Sequence, residues 1–84
     1  MGDKKVIQVE SDATYKTHTF EILKEGTYNG SKDYFYLVKD QKAKKYKYQI
    51  ISLSHYIRVF HSSGRVETQE EAEKWFNEYS KKNA

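Results

Sequence analysis

Thr68-Gln69-Glu70-Glu71-Ala72-Glu73-Lys74-Trp75-Phe76-Asn77-Glu78-Tyr79 is the stretch that decides the fold. Thr68 and Glu71 form a T-x-x-E capping box, in which each side chain satisfies a backbone N–H that the first helical turn leaves unpaired. Ala72, Trp75, Phe76 and Tyr79 fall at i, i+3, i+4 and i+7, a single apolar stripe. Glu70 and Glu71 stand at the positive end of the helix dipole, and Lys81 and Lys82 at its negative end. Glu70 with Lys74 and Glu78 with Lys82 are i, i+4 pairs in the stabilising order. The spacing predicts a helix over about residues 69–81, with Trp75 and Phe76 at the centre of its buried face.

Upstream of this helix the period changes from 3.6 to 2, the strand repeat. Residues 5–10 read as a short strand with Ile7 and Val9 on one face. In 16–24, His18, Phe20 and Ile22 share a face opposite Thr17, Thr19 and Glu21. Gly26, Asn29, Gly30 and Asp33 make 25–33 a loop. Strands follow at 34–39, 45–53 and 55–61, with a polar turn at 40–44 and a bend or break near 52–54. Ser62-Ser63-Gly64-Arg65 then turns the chain toward the helix. Strands first and one helix last imply an α+β fold: an antiparallel sheet of four to five strands with the C-terminal helix packed across one face. The other face is left to water, a partner or another copy of the chain.

Eighty-four residues make one small domain, 1–84, loosely ordered at 1–4 and 82–84. Val, Ile and Leu together number only 13, while Phe, Tyr and Trp also number 13, so aromatic rings must supply much of the buried area. That is more rings than one thin core needs, and the surplus is expected on the open sheet face. No run is apolar enough to span a bilayer, and Met1-Gly2-Asp3-Lys4-Lys5 has no apolar segment behind it, which argues against a signal peptide. The absence of Cys excludes a disulfide framework, a thiolate nucleophile and Cys-ligated zinc, and points to the cytoplasm.

Strand parity proposes where a partner is held. If Phe35, Leu37, Ile57 and Val59 face the helix, then Tyr34, Tyr36, Tyr56, Arg58 and Phe60 lie together on the open face. Rings beside a cation suit single-stranded nucleic acid, whose bases stack on the rings while cations hold the backbone. The plainer alternative is cross-strand pairing of ordinary sheet tyrosines. Residues 39–47 carry five Lys and one Asp, a local charge of +4, while 67–80 carry five Glu and one Lys, a charge of −4. Lys42, Lys44, Lys45 and Lys47 in the turn would supply phosphate contacts. Such a turn also serves solubility and blunts an edge strand. His61-Ser62-Ser63-Gly64-Arg65 is a further corner whose backbone N–H groups suit an anion.

Catalytic and metal readings lack support in the sequence. His55 and His61 stand about 20 Å apart on one extended strand, and His18 has no H-E-x-x-H or carboxylate cluster around it. No G-x-S-x-G elbow presents a serine. The expectation is therefore no enzyme and no cofactor. The leading reading is a binding module for nucleic acid, single-stranded in particular, or for a protein of a nucleic-acid-handling complex. The alternative is a protein-binding inhibitor or adaptor, using the same sheet face or the acidic helix surface around Glu70, Glu73 and Glu78. A homodimer through the open face is a third reading. The sheet-then-helix layout is similar in outline to small β-sheet DNA-binding domains, although strand 34–39 lacks the Gly-bearing pattern of an RNA recognition motif. The Lys-, Tyr- and Asn-containing, Cys- and Pro-free composition resembles accessory proteins of phages and plasmids.

Overall fold

The computed structural model describes residues 5–30, 33–53 and 59–83. Five strands, β1 (Val6–Ser11), β2 (Thr17–Thr27), β3 (Tyr34–Lys39), β4 (Tyr48–Leu53) and β5 (Val59–Val66), precede one helix, α1 (Gln69–Asn83). Each strand pairs antiparallel with the next. An odd number of alternating strands leaves the first and last running the same way. β1 and β5 meet in parallel through Glu10↔Val59 and Ser11↔Phe60. The sheet thus closes into a barrel in the order β1-β2-β3-β4-β5. The α+β architecture read from the sequence is present: a five-stranded, largely antiparallel sheet with the C-terminal helix packed on β3, β4 and β5.

Closure changes what the second face is for. Strand twist and tilt roll the sheet until its two edges meet. The face opposite the helix then becomes an interior. Val9, Phe20, Val38, Ile51, Leu53 and Phe60 fill it, with Ile7, Ile22 and Tyr36 at its margins. A second core lies outside the barrel wall, where Phe35, Leu37, Tyr48 and Ile50 meet Ala72 and Phe76 of the helix. Period-2 alternation deals Phe35 and Leu37 to the helix side and Tyr36 and Val38 to the interior. This accounts for the scarcity of aliphatic residues beside so many rings: two thin cores, each with its own aromatics, replace one.

Several sequence expectations are corrected here. The open face does not exist as a solvent-facing sheet, and Phe60, expected on it, is 4% exposed inside the barrel. Tyr36 is half-buried for the same reason. Ser62 to Arg65 is not a turn but part of β5; a register shift opposite Gln49 and Ile51 absorbs the irregularity, and Gly64 adopts φ 136°. Gly26 is a residue of β2 rather than of a loop. β4 begins at Tyr48, not Lys45. Of the expected strand over 55–61, residues 59–61 lie in β5, which runs on to Val66, and residues 54–58, with Tyr56, Ile57 and Arg58, lie outside the described residues. The helix runs past the expected 81 to Asn83, whose carbonyl accepts the Asn29 N–H at 2.8 Å.

The helix starts where its cap places it. Thr68 Oγ1 accepts the Glu71 N–H at 3.2 Å. Ala72 and Phe76 are buried, while Trp75 and Tyr79 are half-buried along the stripe's edge. The Tyr28 hydroxyl hydrogen-bonds both Ser52 Oγ and the Tyr79 hydroxyl, tying helix to barrel wall. Burial, together with the hydrogen bond and charge of Tyr79, pushes the Tyr28 hydroxyl up to about 12, against the opposing pull of Ser52. At Tyr79 burial acts upward, but hydrogen bonds from Tyr28, Ser52 and Ser63 outweigh it and bring the group below its usual value.

Candidate functional site

The barrel is closed by a short seam. β1 contributes two pairs to β5, and Asp12 N–H adds a hydrogen bond to the Phe60 carbonyl at 3.1 Å. The chain then leaves β5. Tyr15 N–H bonds Ser11 O at 2.8 Å, and Tyr15 takes φ 57°, folding residues 12–16 back into β2. β5 continues to Val66 on its β4 side. Between the departing hairpin and the running strand a cavity of about 390 Å³ opens.

Its lining is ordered by the same alternation that builds the core. His18 of β2 and Phe60 of β5 supply rings. The His18 ring lies parallel to Phe20, with centroids 5.6 Å apart and planes 6° apart, and edge-on to Phe60 at 5.4 Å and 88°. Gln49 of β4 is 2% exposed, and its Oε1 accepts the Ser62 hydroxyl at 2.9 Å. A polar group this buried needs such a partner to offset its lost hydration. Across the mouth, His61 Nδ1 and Asp12 Oδ2 lie 2.9 Å apart, clasping the hairpin to β5. Lys16 and Arg65 complete the rim. Ring surface, fixed amide, hydroxyl, carboxylate and two cations thus converge on one opening.

The Lys-rich turn, whose lysines do not line this cavity, leads into β4. Gln49 pairs with Arg65 and Tyr48 with Val66, so Lys47, just before Tyr48, lies two residues along the sheet from the Gln49↔Arg65 pair. The turn is built on Asp40, whose Oδ1 accepts the Lys42 N–H at 3.0 Å and whose N–H bonds Lys47 O at 2.7 Å. Lys42, Lys44 and Lys45 are exposed, and Lys47 is half-buried. Lys45 Nζ lies 5.5 Å from the centre of the Tyr46 ring and 4.0 Å from Glu67. Tyr46 is 46% exposed, an accessible ring among lysines.

Among the described residues, those proposed from the sequence do not gather into one platform. Tyr34, 36% exposed, stacks beside Tyr36 with centroids 6.3 Å apart. Burial, then Glu25 and Tyr34, raise the Tyr36 hydroxyl above its usual value. Tyr34 begins β3 and the turn follows its end, a separation of roughly 17 Å at about 3.3 Å per residue. Phe60 belongs to the core, and Tyr56 and Arg58 lie outside the described residues. Lys16, His18, Gln49 and Asp12 entered no sequence-derived site. The signal for Gln49 was an amide next to Ile50 and Ile51 in a strand otherwise destined for burial. His61, Ser62 and Arg65, residues of the expected anion corner, line the cavity from a strand.

Among the described residues no three His, Cys, Asp or Glu side chains cluster to hold a metal ion. No helix among them is long and apolar enough to cross a membrane. No known protein family, no curated protein and no solved structure matches the chain.

Proposed function

We propose that the chain is a non-enzymatic binding module for nucleic acid or for a complex that handles it. Phosphates are held by Lys42, Lys44, Lys45 and Lys47 of the turn and by Arg65 at the seam. The observation that carries the reading is the Gln49↔Arg65 register, which sets a guanidinium in the lining of an open cavity, two residues along the sheet from Lys47 at the end of the Lys-rich turn. A run of cations beside an accessible ring, Tyr46, is the combination that single strands favour: backbone charge is neutralised and a base finds a π-face. The acidic positions Glu70, Glu71 and Glu78 are exposed on the helix, which packs on β3, β4 and β5. They repel phosphate there and orient a strand toward the seam. A cytoplasmic accessory role of phage or plasmid type belongs to this same proposal.

The test is fluorescence anisotropy of a labelled single-stranded oligonucleotide across a range of salt concentrations. The affinity should fall with salt, with a log–log slope of about −0.7 for each phosphate contacted. Absence of binding at low salt, or affinity indifferent to salt, would overturn the reading. A partner retained from lysate after nuclease treatment, with no oligonucleotide binding, would favour the protein adaptor.

A further inference from the structure

We infer that the seam cavity is a nucleotide site, taking one base against the His18 ring and the Gln49 amide, beside Phe60, with its phosphate on Arg65 and Lys16. This rests on the nucleic-acid reading and assigns the unit of the strand that the barrel recognises. The cavity's volume of about 390 Å³ falls within the roughly 300–1,000 Å³ of small-molecule sites. Its ring lining is held rigidly, because His18 is fixed by two aromatic neighbours, Phe20 and Phe60. Histidine is among the side chains on which unstacked bases rest. The wall can read an edge. Ser62 holds the carbonyl of the Gln49 amide, so the amide plane is set and its nitrogen side presents N–H donors only. N–H donors held in a fixed plane suit an acceptor on a base edge, a ring nitrogen or an exocyclic oxygen.

The charges sit where a phosphate would follow. Arg65 lies opposite Gln49 in the strand pairing, at the rim, and makes no ion pair with another described residue. Lys16 lies across the mouth on the hairpin. The one carboxylate of the lining, Asp12, is occupied by His61 at 2.9 Å. A base without its phosphate uses only the rings and the amide; a phosphate alone uses only the rim. Only a nucleotide uses both.

NMR titration of the full chain tests this with the ribonucleoside monophosphates, the corresponding nucleosides, inorganic phosphate and a single-stranded oligonucleotide. The monophosphates should shift the His18 ring and Gln49 side-chain amide resonances, and phosphate alone should leave them in place. Arg65→Gln, at an exposed position, should remove the advantage of a monophosphate over its nucleoside while the nucleoside still binds. Gln49→Met, which keeps the volume, should flatten any preference among the bases. Losing the ring contact should weaken binding by roughly five- to 150-fold, the range of a base–aromatic stack. If the oligonucleotide binds but shifts only residues 39–47, the nucleotide site is wrong and the phosphate-binding turn stands. If the monophosphates bind at the seam and the oligonucleotide does not, the cavity is a free-nucleotide site and the nucleic-acid reading is wrong. Shifts of His18 and Gln49 by inorganic phosphate alone would reduce the site to an anion site and overturn the inference.

Discussion

The Phe35 ring occupies the space that a side chain on Gly26 would need: a Cβ there would fall 2.3 Å from Phe35 Cζ. The two residues are opposite one another in the β2–β3 ladder, and the far end of the Phe35 ring covers Gly26 while the ring contacts Tyr28, Phe76 and Tyr79. Gly26→Ala therefore overpacks the outer core, and comparable insertions cost about 1–3 kcal/mol. Chemical denaturation should show that loss. The loss should shrink when Phe35→Leu is introduced first, because the obstructing ring is gone. Equal losses in both backgrounds would locate the cost elsewhere.

The helix stripe is not uniform. Phe76 and Ala72 are buried, whereas Trp75 is half-buried and rests with Cη2 3.5 Å from the position of a Cβ on Gly64. Phe76→Ala should cost ~3–5 kcal/mol, as buried aromatic truncations do. In a domain with about 5 kcal/mol of total stability this leaves little folded protein. Trp75→Ala should cost less and leave a cooperative melt. Far-UV circular dichroism across a thermal scan distinguishes the two, and the reverse order would mean that the helix is rotated on the barrel.

Local rules carried the helix and the strand parities, because both depend on periods within one segment. The T-x-x-E box located the helix start, and the alternation at 34–38 correctly sent Phe35 and Leu37 to the helix. Closure was illegible, because it depends on two pairs between Glu10–Ser11 and Val59–Phe60, nearly fifty residues apart, and no local pattern marks such a meeting. Without closure the face of Tyr36 and Phe60 looked wet. The seam cavity was hidden for the same reason: Lys16, Gln49 and Arg65 come from β4, β5 and the β1–β2 hairpin, and meet only once the barrel shuts. Gly64 read as a turn residue because φ > 0 is far commoner in turns than at an irregular point inside a strand.

The Tyr28–Tyr79 pair should divide its titration. Tyr79 ionises first, held by donors from Tyr28, Ser52 and Ser63, and Tyr28 follows near 12. For Tyr28 the sign is that of an acid whose proton is bound more tightly in the folded state than at its ordinary 10.0. Its contribution to stability is complete below pH 10 and is lost as pH rises toward about 12. Phenolate absorbance of Tyr28→Phe should lack the last step of the wild-type titration. Tyr79→Phe should bring that step down, since both the hydrogen bond and the charge that raise Tyr28 are removed. An unchanged last step in Tyr28→Phe would assign it to another tyrosine.

Replacing Lys42, Lys44, Lys45 and Lys47 together by Gln should leave the melt almost unchanged, since the turn is shaped by Asp40 and by backbone bonds rather than by ammonium groups. Oligonucleotide affinity should drop at low salt, and the salt slope should flatten by up to roughly 0.7 for each single-strand contact removed. Identical slopes for variant and wild type would return the turn to a purely solubilising role.

The sharpest contrast lies on the inner face of the sheet. Phe60 meets Phe20 edge-on, with centroids 5.2 Å apart and planes at 83°, and packs beside Leu53, its partner in β4. Tyr34 pairs with the same Leu53 from the β3 side, yet stands exposed at the barrel's end. Were the face open, both rings would be comparable surface residues, and truncating either would weaken a bound strand without unfolding the protein. In a closed barrel they differ. Phe60→Ala empties an interior position and should cost ~3–5 kcal/mol, whereas Tyr34→Ala should cost under about 1 kcal/mol, mostly through its stacking on Tyr36. Urea midpoints of the two variants decide it. Near-equal, small losses would mean that β1 and β5 do not stay paired in solution, and the seam, its cavity and the site assigned to it would go with them.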